Sequence, residues 1–115
     1  MAIPHAEPGD IIDLRPLGAA LAGTRSYALF KSGDLELMRI VLRAGEEFPR
    51  HAVAGEVTLQ CLEGRIAFTC NAGERRLEAG QLVHVTGEEM HGLRGIDNAS
   101  ALLTIALKKN PAAVA

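Results

Sequence analysis

Beyond residue 22 the sequence repeats a single pattern, in which short runs rich in Leu, Ile, Val and Thr alternate with breaks that contain glycine. The runs are roughly five to nine residues long, which is the length of a β-strand and too short for an amphipathic helix. The breaks are Ser32-Gly33-Asp34, Ala44-Gly45, Glu63-Gly64, Ala72-Gly73, Ala79-Gly80 and Gly95. Short strands at such regular spacing predict an all-β, antiparallel sandwich or barrel.

The chain has 115 residues, enough for one domain with one core. Residues 1–10 carry two prolines and a glycine, so we expect a loose N-terminal arm there. Residues 11–110 are predicted to form the barrel domain, and residues 111–115 a C-terminal tail. Near the start of the domain, residues 11–14 favour a short strand and residues 17–22 favour at most one turn of helix.

Charge and hydropathy exclude two classes of partner. Twelve basic and 14 acidic side chains give a formal net charge of −2, so the chain lacks the basic field that binds nucleic acid. No apolar run approaches the roughly 20 residues of a membrane helix, and the first residues lack the features of a signal peptide. We therefore expect a cytoplasmic protein that binds neither nucleic acid nor membranes.

The segment 56–70 is expected to fold as a hairpin, because Glu63-Gly64 between two strand-like runs suits a tight two-residue turn. Pairing Leu62 with Arg65 places the apolar residues of both runs on one face. That face comprises Val57, Leu59, Cys61, Ile66, Phe68 and Cys70. The whole predicted inner face of the barrel comprises Met38, Ile40, Leu42, Val53, Val57, Leu59, Cys61, Ile66 and Phe68.

The two cysteines, Cys61 and Cys70, lie on opposite arms of this hairpin. At the rise of a β-strand the trial register separates them by about 13 Å along its length, which is beyond the reach of a disulfide. Two free thiols are therefore predicted, with Cys61 deep on the inner face.

The stretch 45–95 resembles the cupin superfamily in the spacing of two motifs. Gly45 and His51 keep the spacing of the first motif, and residues 61–64 resemble its closing turn. Gly80 and His91 keep the spacing of the second motif. The resemblance implies an antiparallel jelly-roll barrel of one domain, in which the two histidines converge at the mouth.

The resemblance is weaker for the metal site that many cupins carry, which has three histidines and one carboxylate and serves oxygenation, isomerisation and related chemistry. Val53 and Val57 stand at two of those four positions. Transition metals usually take three or four protein ligands, so His51 and His91 alone would bind a divalent ion weakly. The cofactor implied by the resemblance is at most a weakly bound divalent transition metal.

Two further side chains are candidates to complete a metal site. His84 alternates with Leu82 and Thr86, and this pattern is compatible with a side chain inside the barrel and equally with one outside. Glu56 would need a β-bulge at Gly55 to turn inward, because simple alternation places it outside.

Three functions are compatible with these residues. The leading hypothesis is a protein that binds a small organic molecule in the barrel mouth. Its predicted contacts are His51, His91, His84, Val53, Val57 and Leu59. The alternative is a metal-dependent enzyme of the dioxygenase or isomerase type. Its predicted metal ligands are His51, His91, His84 and Glu56. The third is a structural or partner-binding domain.

A homodimer is expected from the exposed parts of such a barrel. Strand edges stay unpaired, and the predicted outer face carries Leu37, Val41 and Leu62. Association across a two-fold axis would cover both features.

Overall fold

The computed structural model describes residues 5–107 and contains nine strands and one 3-10 helix in that range. The strands are β1 (Tyr27–Lys31), β2 (Leu35–Leu42), β3 (Glu47–His51), β4 (Val57–Glu63), β5 (Arg65–Cys70), β6 (Gly73–Glu78), β7 (Leu82–Val85), β8 (His91–Gly95) and β9 (Ala99–Ala106). The 3-10 helix, Gly18–Gly23, lies where one helical turn was predicted. Residues 11–14 form no strand, contrary to the sequence pattern. The predicted tail, 111–115, lies outside the described residues.

The strands form two antiparallel sheets that pack face to face. One sheet has the order β1-β2-β9-β4-β7 and the other β3-β8-β5-β6. From β2 onwards every connection except that between β5 and β6 crosses from one sheet to the other, which is the connectivity of a jelly roll. The predicted all-β, antiparallel, single-domain jelly roll is therefore confirmed. None of the helical structure within residues 5–107 has the length and apolar character needed to span a membrane.

The core lies between the sheets and is built from alternate positions of each strand. In β9, for example, Leu103 and Ile105 are buried, whereas Leu102 and Thr104 between them are partly exposed. The buried cluster comprises Ile40, Leu42, Val57, Leu59, Cys61, Ile66, Phe68, Leu77, Val85, Leu93, Ala99, Ala101, Leu103 and Ile105. All the residues of the predicted inner face belong to this cluster or pack against it. Each large apolar side chain contributes about 1.5–3 kcal/mol on burial, so this cluster is the main stabilising feature.

The predicted hairpin between β4 and β5 is wrong. β4 pairs with β7 and β9, whereas β5 pairs with β6 and β8 in the opposite sheet. The chain changes sheets at Gly64, whose φ of 72° lies in the left-handed region and whose missing side chain leaves room for the Asn98 carbonyl. The inward side chains of two facing sheets enter the same core, as do the side chains on one face of a single sheet. Both arrangements therefore give the same alternation in the sequence. Alternation therefore identifies the inner side of a strand but not its neighbour.

A segment before β1, residues 15–26, lies along the outer face of β2, and we call it the strap. The Arg39 guanidinium donates a hydrogen bond to the backbone carbonyl of Arg15 (2.8 Å), and the Ser26 hydroxyl accepts one from the backbone N–H of Val41 (2.8 Å). Val41 is consequently buried, although the sequence predicted an exposed residue. The prediction failed because alternation does not show that a distant segment covers the outer face.

The carboxylate of Glu63 fastens the strap to the sheet. It accepts hydrogen bonds from the backbone N–H groups of Leu17 (3.0 Å) and Gly18 (3.1 Å). It also accepts hydrogen bonds from the Arg39 guanidinium (3.2 Å) and the Ser100 hydroxyl. Burial of the carboxylate raises its pKa, but these hydrogen bonds and the charge of Arg39 outweigh burial, and the pKa of Glu63 lies below its usual value.

Replacing Glu63 by alanine should destabilise the fold strongly, because Arg39 is 1% exposed and its buried charge would lose its charged partner. Removing one partner of a buried ion pair costs on the order of 3–5 kcal/mol. Urea denaturation of Glu63→Ala against the wild type measures the loss, and Glu78→Ala, at an exposed position of β6, is the matched control. A loss no larger than in the control would contradict the role of this carboxylate.

Candidate functional site

His51 and His91 face each other on adjacent strands. They are directly opposed in the pairing of β3 with β8, and their ring centroids lie 4.3 Å apart at an interplanar angle of 61°. The structure thus brings together two histidines that are forty positions apart in the sequence. We call this pair and the side chains around it the barrel mouth.

A β-bulge in β3 turns His51 toward the inside. Between the Phe48 pair and the His51 pair, β3 has one residue more than β8. Pro49 lies in this bulge and has no N–H to donate, which is tolerated because β3 is at the edge of its sheet. Without the extra residue, Arg50 would occupy the inward position instead of His51.

The hydrogen bonds of the two rings determine which nitrogen carries the proton. Nδ1 of His51 lies 3.0 Å from the carbonyl oxygen of Pro49, and Nδ1 of His91 lies 3.1 Å from the carbonyl oxygen of Glu89. A carbonyl can only accept, so both Nδ1 atoms donate, and in the neutral rings both Nε2 atoms are acceptors. Nε2 of His91 is buried and has no hydrogen-bond partner in the described structure.

The surroundings of His91 are apolar and keep its ring neutral. The Phe68 ring stacks at 6.1 Å from it, and the Phe48 ring lies edge-on to His51 at 5.3 Å. Burial lowers the pKa of His91, and the neighbouring His51 lowers it further, while the hydrogen bond and charge of Glu89 act in the opposite direction. The net result is a pKa below the usual value, so the neutral ring prevails at neutral pH.

The turn before β8 is fixed by Glu89. Its carboxylate accepts hydrogen bonds from the backbone N–H of Asn71 (3.0 Å) and from the hydroxyl of Thr86 (3.0 Å), and these bonds lower the pKa of Glu89. Glu89 therefore holds the turn that orients His91, a role that was not predicted from the sequence. Its spacing of three residues from Thr86 was the available signal.

His84 and Glu56, predicted to complete a metal site with the other histidines, lie elsewhere. His84 is on the outer face of β7, because Val83 and Val85 occupy the inward positions of this strand. Nε2 of His84 lies 2.7 Å from a carboxylate oxygen of Glu56, and both side chains are at least half exposed. The four predicted ligands therefore form two separate pairs rather than one cluster.

The three apolar residues predicted to line the pocket are placed differently from one another. Val57 and Leu59 are 2% and 0% exposed and belong to the packed core, so neither offers surface to a ligand in this conformation. Val53 is partly buried and packs against the margin of the core. Of the three, only Val53 is open enough to contact a molecule at the barrel mouth.

No group of three or more His, Cys, Asp or Glu side chains in the part of the chain that the structure describes is arranged to hold a metal ion. Two cavities of about 640 and 440 Å³ lie away from the histidine pair, between the N-terminal arm and β1. Both cysteines are free, with Cys61 buried and Cys70 partly exposed. Among the buried polar side chains of the described residues, Arg39 and Ser100 belong to the Glu63 network, and His91 belongs to the barrel mouth.

Comparison with known proteins agrees with this architecture. No protein-family model matches the sequence, and no curated protein matches it. A conserved protein of unknown function from Streptococcus pyogenes superposes with a TM-score of 0.74 over 96% of this chain and 97% of that one, at 21% identity. A cupin superfamily protein from Desulfitobacterium hafniense superposes with a TM-score of 0.73 over 90% of this chain and 100% of that one, at 17% identity.

A third solved structure is an RmlC-like cupin from Desulfovibrio desulfuricans, with a TM-score of 0.71 over 84% of this chain and 97% of that one, at 22% identity. The fold and its neighbours define the class of this protein, a small β-barrel of the jelly-roll type. More particularly, it is a small cupin-fold domain, as the motif spacing implied.

Lowering the pH from neutral to about 5.5 should destabilise the fold through His91. The unfolded chain binds a proton near the usual pKa of 6.5, whereas the folded chain, with its lower pKa, resists it. The stability that the neutral ring contributes is present above that value and is lost as the pH falls below it. Urea midpoints at the two pH values should therefore differ less in His91→Phe than in the wild type.

His84→Ala is the control for this measurement, because His84 is exposed on the other side of the sheet. The carboxylates with lowered pKa, such as Glu63 and Glu89, lose their contributions at still lower pH and do not disturb the comparison. An unchanged pH dependence in His91→Phe would mean that His91 is not the group responsible.

Proposed function

We propose that this protein binds a small, uncharged organic molecule at the barrel mouth, through a hydrogen-bond donor that the molecule presents to His51 and His91. The observation that carries the proposal is the buried Nε2 atom of His91, which lacks a partner. A buried acceptor left without a hydrogen bond costs about 1–3 kcal/mol. A hydroxyl or N–H group of a ligand would supply that bond.

The chemistry of the barrel mouth favours a neutral, flat molecule. Phe48 and Phe68 flank the two imidazoles, so the immediate neighbours are aromatic. A charged group placed among these rings would lose its hydration without gaining an opposite charge. An aromatic or unsaturated body can stack on the rings, while a single donor fixes its orientation.

His51 is the residue that such a molecule would meet first. Its side chain is partly exposed on the edge strand β3, whereas His91 is only 2% exposed behind it. A ligand donor can bond to Nε2 of His51 at once, and reaches Nε2 of His91 when the His51 ring turns aside. In this proposal His51 makes the first contact with the ligand, and His91 supplies the buried acceptor.

Phenol and anisole provide a matched pair of probes, because they are similar in size and only phenol can donate a hydrogen bond. Nuclear magnetic resonance of the histidine side chains should show phenol shifting the imidazole signals of His51 and His91, and anisole shifting them much less. The shift of the His51 signal should weaken in His91→Phe, which removes the buried acceptor, and persist in His84→Ala, which changes a histidine outside the barrel mouth.

Two results would refute the proposed binding mode. Equal shifts with both probes would mean that the donor is irrelevant, and a His51 shift that is unchanged in His91→Phe would mean that the buried acceptor takes no part in binding. Benzoate serves as a third probe, since stronger binding of this anion than of phenol would contradict a site for uncharged molecules.

A metal-dependent enzyme is the second candidate, and one observation favours it. Both Nδ1 atoms donate to backbone carbonyls and leave Nε2 as the acceptor, which is the arrangement that orients histidines bound to metals. The donor set does not fit a resident metal, however, because His51 and His91 have no third ligand among the described residues. We therefore rank a metal-dependent enzyme second, after a protein that binds an organic molecule.

Elemental analysis of protein purified without added ions should find well under one transition-metal ion per chain. Zinc added to the protein should bind weakly, and less so as the pH falls, because two imidazoles must stay unprotonated to coordinate it. The finding of about one tightly held ion per chain, lost in His51→Ala or His91→Ala, would reverse the order of the two candidates.

A further inference from the structure

A third reactive side chain, the thiol of Cys70, lies in the same row of the barrel interior as the histidine pair. Thr69 and Gly92 are the last opposed residues of β5 and β8. Cys70 and His91 are the next residue of each strand, and because the strands are antiparallel these two are opposed, with Cα atoms about 5 Å apart. His51, His91 and Cys70 therefore follow one another across β3, β8 and β5.

Two contacts support this placement of the cysteine. The backbone N–H just beyond it, that of Asn71, donates to the carboxylate of Glu89, and the carbonyl of Glu89 accepts the hydrogen bond from Nδ1 of His91. The strands therefore stay together beyond their last registered pair. The side chain of Cys70 packs against the core, on the same side of β5 as Phe68, so the thiol belongs to the barrel mouth.

The thiol of Cys70 is open to small molecules. Its sulfur is turned toward the carbonyl oxygen of Gly73 at 3.8 Å, a weak contact that rotation of the side chain can break. The side chain is partly exposed, whereas Cys61, the other thiol, is completely buried. On the neighbouring strand, Nε2 of His91 is buried without a partner, which is an independent sign that a ligand binds here.

We propose that Cys70 captures the ligand of the barrel mouth covalently, and that this ligand is an α,β-unsaturated carbonyl compound that also carries a hydrogen-bond donor. This inference rests on the proposed binding at the barrel mouth and names the chemical class of the molecule bound there. A conjugated carbonyl compound is flat and uncharged, as the rings of Phe48 and Phe68 require. It also reacts with a thiol by addition, so these apolar surroundings need not stabilise an anionic leaving group.

The addition needs no oxidant or other co-reactant. The thiol of Cys70 loses its proton to water, and the resulting thiolate forms a bond to the β-carbon of the ligand. The π bond between the α- and β-carbons breaks, and its electron pair moves toward the carbonyl oxygen. The α-carbon then takes up a proton from water. The product is a thioether, and the same steps in reverse release the ligand.

The register of the two strands limits the distance between the donor and the double bond of the ligand. His91 and Cys70 are opposed on adjacent strands, so both can reach one small molecule only if its donor and its β-carbon are a few bonds apart. A hydroxyl group on the carbon next to the double bond meets this requirement. Held in this way, the double bond meets the thiol at a high effective concentration.

4-Hydroxycyclohex-2-enone and its methyl ether are the matched probes, because both contain the same conjugated double bond and only the first can donate a hydrogen bond. Mass spectrometry should show one adduct per chain, located on Cys70 by peptide mapping, while Cys61 stays unmodified inside the core. The hydroxy probe should react with Cys70 about tenfold faster than the methyl ether, the factor expected of one good hydrogen bond. N-acetylcysteine gives the intrinsic ratio of the two rates, by which the ratio on the protein is divided.

His91→Phe should bring the rates of the two probes on Cys70 together, because the donor loses its acceptor. His84→Ala, which changes a histidine outside the barrel mouth, should leave both rates unchanged. Circular dichroism verifies that His91→Phe folds, and the ratio of the two rates in the wild type tests the proposal without any variant.

Two results overturn the proposal. One is a Cys70 that stays unmodified, and the other is a Cys70 that reacts with both probes in the ratio found for N-acetylcysteine. Histidine shifts with phenol, together with an unmodified Cys70, would overturn the covalent step and leave the proposed binding standing. Absence of those shifts, together with the ratio of N-acetylcysteine, would overturn both.

Discussion

The contact between the inner faces of the two sheets is the interaction on which the rest of the structure depends. Leu59, Ile66 and Phe68 are completely buried there, and they come from strands that belong to opposite sheets. Because each strand must present alternate side chains to this contact, its other side chains are left for the outer surfaces. The outer faces of the two sheets carry the side chains that this contact does not use, and the barrel mouth lies where the inner faces open at one end.

Alternation in the sequence predicted which side of β2, β4 and β5 faces inward, but not which strands they pair with. The alternation in segments 57–63 and 65–70 correctly identified the buried residues, and the motif spacing implied the jelly roll. The pairing of these two strands was wrong because Glu63-Gly64 suits a hairpin turn and a corner between sheets equally well. The choice depends on the approach of Asn98 to Gly64, a contact between residues 34 positions apart that no local pattern reveals.

The sequence predicted the candidate site only in part, again because local patterns do not reveal contacts between distant residues. Motif spacing was enough to pair His51 with His91, but the inward turn of His51 depends on a bulge around Pro49 that spacing does not describe. His84 lies in a strand of four residues where both phases of the alternation contain apolar side chains, so its outward position could not be derived. The carboxylate network of Glu63 was missed because its partners come from three distant parts of the chain.

The corner at Gly64 constrains how the sequence of such a protein can diverge. A side chain at this position would overlap the backbone of Asn98 and Ala99, so a substitution requires a simultaneous change in the connection between β8 and β9. The two histidines that face each other play no part in this constraint. Residue 64 and the connection between β8 and β9 should therefore change together in related sequences. Such paired changes would reveal common ancestry even among proteins that bind different ligands.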